Sequence, residues 1–376
     1  MRFNLPLRKA KNMPDLLEKW YGPIYTQLQK ADDPYISTST GLFNAINGPR
    51  IFTALNTEFN AFAALPKTAF AGTGWRVITT RPTVTLGVAE TGGPPDTVRF
   101  TFAEVTAKLK TLMNTFDMSL AQQIYATADD AVGFAQMREI HGENHKEEIN
   151  IDLLTEYDTL ASNNIESIDR VTATSTETTN CGATTGDEDI HGIDKSGASW
   201  AEGYNDNASG VDRALTKPII RALVVDNVPE NGGSFPDFTL TGHDTFSTVT
   251  GLFESQAGVG GALGQASISW GMDGLQLAGQ GAGAIVTTVH NRPMVVSKDT
   301  PKDTGSRMYA LDTKAQMGTP ALRIDVGVPT LYVESGVNTN GNPWGIDLVG
   351  DEGGYLSVME LKCGNFKRQG KVRDLL

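Results

Sequence analysis

Two histidines one helical turn apart form the clearest arrangement in the sequence that could bind a metal. His141 and His145 are separated by three residues, so on a helix both imidazoles would lie on one face and could chelate zinc. A zinc protease motif would have Glu directly after the first histidine, but Gly142 stands there and no third ligand is marked downstream. We expect a polar stripe on a long helix. A metal-dependent hydrolase using His141, His145 and a remote carboxylate is the enzyme alternative.

The acidic segment from Asp187 to Asp194 offers a second set of possible ligands. Its first, third and fifth positions carry side chains that could bind a cation, and Gly192 stands sixth, as in a calcium-binding loop. The twelfth position, which would supply a bidentate Glu, is Ala198. The segment therefore predicts an exposed acidic loop, with a weak cation site as the alternative. We expect no catalytic residue, no cofactor and no resident metal.

Charge is unevenly distributed along the 376 residues. The chain has 31 Lys and Arg against 44 Asp and Glu, a formal charge of −13, which argues against a protein that coats nucleic acid through its overall field. Residues 1–30 carry six basic and two acidic side chains, and residues 361–376 carry five and one. Both ends are therefore basic, and the sequence predicts a basic tail after the last strand.

The cysteines and the hydropathy pattern indicate where the protein is made. Cys181 and Cys363 are too far apart to suggest a disulfide framework or a CxxC metal pair, so we expect free thiols. No apolar run reaches the ~18 residues of a membrane helix, and the start lacks the apolar stretch of a signal peptide. We expect a soluble chain made in the cytoplasm.

A long β-hairpin is predicted near residue 72. The run from Trp75 to Leu86 is rich in β-forming residues, Gly92–Asp96 is a strong turn signal, and Val98, Phe100 and Phe102 alternate with polar residues. An isolated two-stranded ribbon is at best marginally stable in water, so we expect the hairpin to lie on a neighbour.

A long helix and a mixed set of elements follow. Asp129 and Asp130 are candidate N-caps of a helical pattern from about 130 to 161, which would span about 48 Å. Residues 162–215 are polar and weakly periodic, and the remainder mixes helices with strands. Separate strand candidates include Leu322–Val326, Leu331–Glu334 and a final strand at Tyr355–Cys363. We expect the long helix to pack along a sheet that contains the final strand and the strand after the hairpin.

The order of these elements resembles the major capsid proteins of tailed double-stranded-DNA viruses, which have the α+β Hong Kong 97-type fold. Four stretches strengthen the resemblance: Leu240–Phe246, running into a helix that ends at Leu252–Gln256; Asn291–Ser297; Tyr309–Thr313; and Leu361–Asp374. Their order and spacing extend over nearly the whole chain.

The resemblance implies a division of the chain into named parts. These are an N-terminal arm at 1–71, an extended E-loop at 72–103, a peripheral domain with the long spine helix at 104–161, an axial domain at 162–345, and a return strand of the peripheral domain with a C-terminal tail at 346–376. The E-loop would lap over a neighbouring subunit. Its apolar contacts would come from Trp75, Val77, Val98, Phe100 and Phe102.

The implied function is structural. Many copies would form pentamers and hexamers that close into an icosahedral virion capsid around a packaged DNA genome, held only non-specifically and without a membrane. A portal, a separate scaffolding protein and a cementing protein are the expected partners, the scaffold being separate because the arm begins close to Met1. A bacterial nanocompartment shell of the encapsulin type, which shares this fold, is the alternative.

One feature of the family is not expected here. Some of these capsids crosslink through an E-loop lysine, but no lysine lies between Lys67 and Lys108. We therefore expect a non-covalent shell.

Overall fold

The structure is a computed structural model that describes residues 59–83, 86–87, 92, 97–119, 133–160, 162–177, 189–257, 287–316, 318–336 and 350–376. Residues 1–58 of the predicted arm lie outside this description, and so do much of the hairpin tip, the two predicted caps Asp129 and Asp130, and Cys181.

Strands make up much of the described chain. They are β1 (Lys67–Ala69), β2 (Gly74–Thr80), β3 (Thr101–Thr106), β4 (Lys110–Ser119), β5 (Tyr204–Asp206), β6 (Phe238–Thr241), β7 (Thr287–Val289), β8 (Arg292–Val296), β9 (Met308–Leu311), β10 (Ala315–Gln316), β11 (Thr319–Pro320), β12 (Leu322–Gly336), β13 (Gly350–Cys363) and β14 (Gly370–Val372).

The helices vary greatly in length. They are α1 (Asn60–Ala64), α2 (Phe134–Leu154), α3 (Ile168–Thr172), α4 (Lys217–Arg221), α5 (Val228–Gly232) and α6 (His243–Ala257), with a π-helical segment, Ala222–Asn227, between α4 and α5. None of the described helices is long and apolar enough to cross a membrane.

A six-stranded mixed sheet has the order β5-β14-β9-β6-β8-β7. β14 runs parallel to β5 and antiparallel to β9, and β6 runs parallel to β8 and antiparallel to β9. Every residue of β6, β9 and β14 is buried. The basic residues after Cys363 therefore do not form a tail, because Gly370–Val372 is an interior strand. That prediction was wrong.

A second sheet has the order β1-β12-β13-β4. It pairs the strand after the hairpin with the strand that includes Tyr355–Cys363, which confirms that part of the prediction. β12 is one long strand rather than the two predicted runs. Pro329 lies inside it, beyond Ile324–Val326, the part of β12 that β1 covers. A proline that donates no hydrogen bond is tolerated along such an uncovered strand edge.

The chain divides into two compact units. Of the described residues, those within 59–112, 146–329 and 357–376 form the larger unit, and those within 113–145 and 330–356 form the smaller one. The larger unit has two buried apolar clusters, one around Leu153, Phe238 and Leu361 and one around Leu223 and Met308. The described core of the smaller unit is aromatic and sulfur-rich, with Phe116, Met118 and Met137 at its centre.

The helix α2 confirms the prediction of a single helix that continues through Gly142. Within the larger unit its residues Ile149 and Leu153 pack in the same cluster as Met359 and Leu361 of β13. Within the smaller unit, the hydroxyl of Tyr355 donates to the carbonyl of Arg138 at 2.8 Å. The helix therefore packs along the sheet, as predicted.

A glycine is required in the middle of α2 because Tyr355 approaches the helix there. A Cβ atom at Gly142 would lie 2.9 Å from the Tyr355 hydroxyl oxygen. Glycine normally destabilises a helix interior by about 1 kcal/mol, so its presence reflects this close contact.

α2 is shorter than predicted at its C-terminal end. It stops at Leu154 after 21 residues, a length of about 32 Å, although the apolar pattern continues towards Ala161. The backbone N–H of Tyr157 donates to the Asp169 carboxylate at 3.0 Å, and the Arg170 guanidinium donates to the Tyr157 carbonyl at 2.9 Å. Tertiary partners thus take the main-chain groups that would have continued the helix.

Asp169 is the centre of a buried ion cluster in the larger unit. Its side chain is fully buried and accepts hydrogen bonds from Arg307 Nη1 at 2.9 Å and from the Tyr309 hydroxyl at 2.7 Å. Lys371 Nζ lies 3.1 Å from Asp169 Oδ1, the oxygen that also accepts from Tyr309. The carboxylate therefore joins α3 to β9 and β14.

Two further acidic side chains balance the cations of this cluster. Glu177 lies 2.8 Å from Lys371 Nζ and 3.1 Å from Arg373 Nη1. Asp303 lies 2.7 Å from Arg307 Nη2 and 2.9 Å from Arg373 Nη2. Burial opposes ionisation, but Lys371 and Arg307 outweigh it and hold the pKa of Asp169 below its usual range. The C-terminal strand is thereby tied to the interior by charge as well as by pairing.

We expect Asp169→Asn to lower the free energy of unfolding by about 3–5 kcal/mol, because Arg307 and Lys371 would remain buried after losing the one carboxylate that they share. Arg76→Ala is the matched control. Its partner is Glu104, the two side chains are 72% and 73% exposed, and an exposed pair contributes at most about 1 kcal/mol. Chemical denaturation measures both, and equal losses would contradict the structural importance of the cluster.

The pH dependence gives the same comparison a second readout. Because the folded pKa of Asp169 is lowered, its stabilising contribution is present above the unfolded value and is lost as pH falls towards the folded one. Wild-type protein should therefore lose more stability below about pH 4 than Asp169→Asn does.

Candidate subunit interface

The predicted hairpin is present as an antiparallel pair of β2 and β3. Gly74 lies opposite Thr106, and the register continues to Ile78 opposite Phe102. A register shift between Ile78 and Thr80 then inserts a bulge, which bends and twists the ribbon. In the described residues the ladder joins Gly74–Thr80 to Thr101–Thr106 and does not extend to the predicted turn.

The two faces of this hairpin differ in exposure. Trp75 and Val77 share one face with Val105 and are half-buried against their own chain, whereas Val105 is fully covered. Ile78 and Phe102 lie opposite each other on the other face and are 42% and 57% exposed. One face is therefore anchored and the other is open.

The sequence-predicted contact residues are divided between these environments. Phe102 lies on the open face, and Val98 and Phe100 precede β3 with about half of each side chain exposed. Trp75 and Val77 instead lie on the anchored face. Contact with a neighbouring subunit stays a prediction for all five.

A buried lysine fixes the root of the hairpin. Lys362 Nζ donates to the Gly72 carbonyl at 2.6 Å, pairs with Asp325 at 2.9 Å and lies 5.5 Å from the centre of a Trp75 ring. The Trp75 ring also meets His191 edge-on, with 5.4 Å between ring centres. The hairpin is therefore held to the larger unit at its base by charge, hydrogen bonding and aromatic contact.

A buried carboxyl group lies on the same strand as Lys362. Glu360 Oε1 accepts from the backbone N–H groups of Glu166 at 2.8 Å and Leu361 at 3.0 Å. Burial raises the pKa of Glu360 to about 8, and the Glu166 carboxylate adds to this effect. Burial also lowers the pKa of His191 to about 3, with Lys362 contributing. At neutral pH, Glu360 is therefore mostly protonated and His191 is neutral.

The histidine pair of α2 packs against aromatic rings. In the smaller unit, His141 stacks on Phe116 with 4.6 Å between ring centres, and His145 stacks on Tyr355 at 6.0 Å. Burial lowers the pKa of both histidines. Among the described residues, no group of three His, Cys, Asp or Glu side chains could hold a metal ion.

The acidic loop is described only from residue 189, so Asp187 and Glu188 lie outside the described part. Ile190 and Ile193 pair across a tight turn in which His191 and Gly192 have positive φ values of 51° and 74°. Asp194 caps the following helical turn by accepting from the Ser196 N–H at 2.8 Å. In this part of the loop, the Asp194 carboxylate therefore caps a helical turn.

Several residues of this region were missed by the sequence reasoning. Ile78 alternates with Trp75 and Val77, so the β-pattern could have placed it on the opposite face had the strand pairing been known. Lys362 and Glu360 belong to a strand that was predicted, but nothing local indicates that their side chains are buried. In the sequence, His191 stands out only as a possible cation ligand.

Comparisons with known proteins identify solved structures that resemble this architecture. No protein-family model and no curated protein matches the chain. The capsid asymmetric unit of cyanophage A-1(L) is 14% identical with a TM-score of 0.57, covering 87% of this chain and 95% of that one. The capsid of a native gene-transfer-agent particle is 10% identical with a TM-score of 0.52, covering 95% and 97%. The chain has the Hong Kong 97-type fold.

A third solved structure is similar to the chain. An encapsulin complex from Synechococcus elongatus is 8% identical with a TM-score of 0.48, covering 94% of this chain and 95% of that one. The α+β fold class and the Hong Kong 97-type fold predicted from the sequence are confirmed by the two phage-like capsids.

We expect Glu360→Gln to flatten the pH dependence of stability between about pH 4.5 and 8. The folded pKa of Glu360 is raised, so its protonated form stabilises the fold below the unfolded value, and this contribution is lost as pH rises through about 8. Glutamine keeps an acceptor for the two N–H groups and does not ionise. Urea unfolding at pH 5 and pH 8 should show a smaller difference for the variant than for wild type, and an unchanged difference would contradict burial of this carboxyl.

Proposed function

We propose that this chain is a major capsid protein that self-assembles into an icosahedral shell around the double-stranded-DNA genome of a tailed virus. The observation that carries the proposal is the match to the cyanophage A-1(L) capsid subunit, which extends over 87% of this chain and 95% of that one. A subunit that corresponds to nearly a whole capsid subunit has the parts required for closing a shell. The role is structural rather than catalytic.

The open face of the hairpin supports self-association. Ile78 and Phe102 form a directly opposed apolar pair, and Phe100 extends the exposed apolar surface beyond the ladder. Covering a few hundred Å² of such surface contributes several kcal/mol at about 25 cal/mol per Å², before the costs of association. A neighbouring copy supplies that cover in our proposal.

Each part of the chain is proposed to have its own role in the assembled shell. Residues 1–71 act as an arm, 72–103 as the extended loop, 104–161 with the return strand as a peripheral domain, and 162–345 as an axial domain. The pairing of β14 with β5 and β9 supports assigning the last residues to the axial domain, since these strands form one sheet. Pentamers and hexamers form around the axial domains.

Other partners follow from a shell of this kind. We propose a separate scaffolding protein and a portal during assembly, and a cementing protein on the finished particle. The formal charge of −13 favours non-specific confinement of DNA over tight coating. The chain is made in the host cytoplasm and ends in the virion capsid.

Electron microscopy of the expressed full-length protein tests the proposal. Closed icosahedral shells are the expected result, and virions from the source should contain DNA within shells of this chain. Cargo enzymes inside the particles would instead identify a nanocompartment. Soluble monomers with stoichiometric zinc would contradict the proposal in favour of the hydrolase alternative.

We expect the double variant Ile78→Ser with Phe102→Ser to abolish shell formation while lowering monomer stability by only about 1–2 kcal/mol, because each side chain is about half exposed and the variant loses little more than their cross-strand contact. Val211→Ser is the control, since Val211 is 66% exposed and lies outside the hairpin. Thermal unfolding measures the monomer, and sedimentation measures shells. Normal assembly of the double variant would show that the open face of the hairpin is not part of the subunit interface.

We also expect the shell to be non-covalent, because no lysine lies between Lys67 and Lys108. Denaturing electrophoresis of mature particles should give one band near 40 kDa. A ladder of multimers would show that another residue forms a crosslink.

A further inference from the structure

The outer side of β2 borders a groove of about 680 Å³ in the larger unit, which we call the hairpin groove. One wall is the unbroken run Trp75–Arg81, and the facing wall includes Trp200, Arg323 and the turn Gly364–Lys367. None of the described β3 residues lines it. Successive residues of a strand point to opposite faces, so a continuous run along one wall presents the strand edge to the groove.

That edge carries main-chain groups without a strand partner in the described chain. The Ala107 N–H donates to the Thr73 carbonyl at 2.8 Å, so Thr73 and Ala107 form a hydrogen-bonded pair at the root of the ladder. Hydrogen-bonded and non-hydrogen-bonded residue pairs alternate along an antiparallel ribbon. Arg76 and Ile78 therefore direct their N–H and C=O groups away from β3, and β2 pairs with β3 alone among the described strands.

The hairpin groove is cationic. Its lining carries four basic side chains and no carboxylate: Arg76, Arg81, Arg323 and Lys367. Two of them are already paired, Arg323 with Asp325 at 2.7 Å and Arg76 with Glu104 at 3.0 Å. Arg81 and Lys367 have no ion-pair partner among the described residues. The groove thus combines an open strand edge with unmatched positive charge.

The charge of the chain identifies an occupant. Residues 1–58 carry seven basic and five acidic side chains, so the N-terminal segment does not complement a basic groove, whereas the rest of the chain holds the acidic surplus. We propose that an acidic, extended segment of a second copy of the chain enters the hairpin groove and pairs with β2 as a third strand. This inference rests on the proposed assembly into shells.

Such a contact would use each feature of the groove. Main-chain hydrogen bonds to Arg76 and Ile78 would provide affinity, and carboxylates beside Arg81 and Lys367 would select the segment. Occupation would also cover a strand edge that otherwise invites pairing with unrelated chains. Assembly would therefore order the hairpin from its edge as well as from its open face.

A proline at the edge tests the main-chain pairing. Arg76→Pro removes an N–H that faces away from β3, a position where strands tolerate proline, and Arg76→Ala removes the same side chain but keeps the N–H. We expect at least about tenfold fewer shells from Arg76→Pro than from Arg76→Ala, since each subunit would lose a main-chain bond to its neighbour. Equal yields would overturn strand addition.

A charge reversal tests the groove without altering the strand. Lys367→Glu places a carboxylate in the lining, and Lys108→Glu is the control because Lys108 is exposed and outside the groove. We expect Lys367→Glu to reduce shell yield at least about tenfold, with Lys108→Glu close to wild type. This charge-reversal test remains decisive if Arg76→Pro fails to fold.

Zero-length carbodiimide coupling in assembled particles identifies the occupant. In shells mixed from light and heavy isotope-labelled subunits, Lys367 should join an Asp or Glu peptide of the other isotope. Coupling confined to one isotope would overturn the inference. So would binding of a single-stranded oligonucleotide that Lys367→Glu abolishes, because the groove would then serve nucleic acid.

The outcomes separate this inference from the proposed function. If wild-type protein forms no shells, the proposed function fails and the groove contact fails with it. If wild type forms shells and both groove variants match their controls, the groove inference alone is overturned.

Discussion

Burying the Asp169 carboxylate obliges the protein to match its charge internally, and the arrangement of the larger unit follows from how it does so. Arg307 immediately precedes β9 and Lys371 lies in β14, while the N–H of Tyr157 donates to the same carboxylate. Desolvating these groups is costly, so the cluster is favourable only when all its members are in place. It therefore specifies one arrangement of α3, β9 and β14 and ends α2.

The C-terminal strand and the hairpin illustrate two ways of attaching a segment to this framework. β14 has strands on both sides and a fully buried lysine, so it is an integral part of its sheet. The hairpin is held at its root by Lys362 and Trp75, while its outer edge pairs with no other described strand. In the proposed assembly, a hairpin anchored at its root would be presented in the same way to each neighbouring copy.

In the proposed assembly, an acidic chain would meet its neighbours through a partly basic hairpin, and this difference in charge would make the contact specific. Like net charge would keep free subunits apart, whereas the arginine and lysine side chains beside β2 would favour contact with an acidic surface of another copy. Apolar cover on the open face and main-chain pairing at the edge would add affinity. The proposed interface would thus take its specificity from charge and its affinity from apolar contact and main-chain pairing.

The sequence by itself determined the elements whose signals are local. Alternation of apolar residues predicted the hairpin, unbroken periodicity predicted one helix through Gly142, and the order of elements predicted the fold. It could not determine the end of α2, the burial of Lys371 or the face on which Ile78 lies. Those depend on partners distant in the chain, Asp169 for the first two and Phe102 for the third. Only the tertiary structure brings them together, because pairing of charges and strands depends on distance in space.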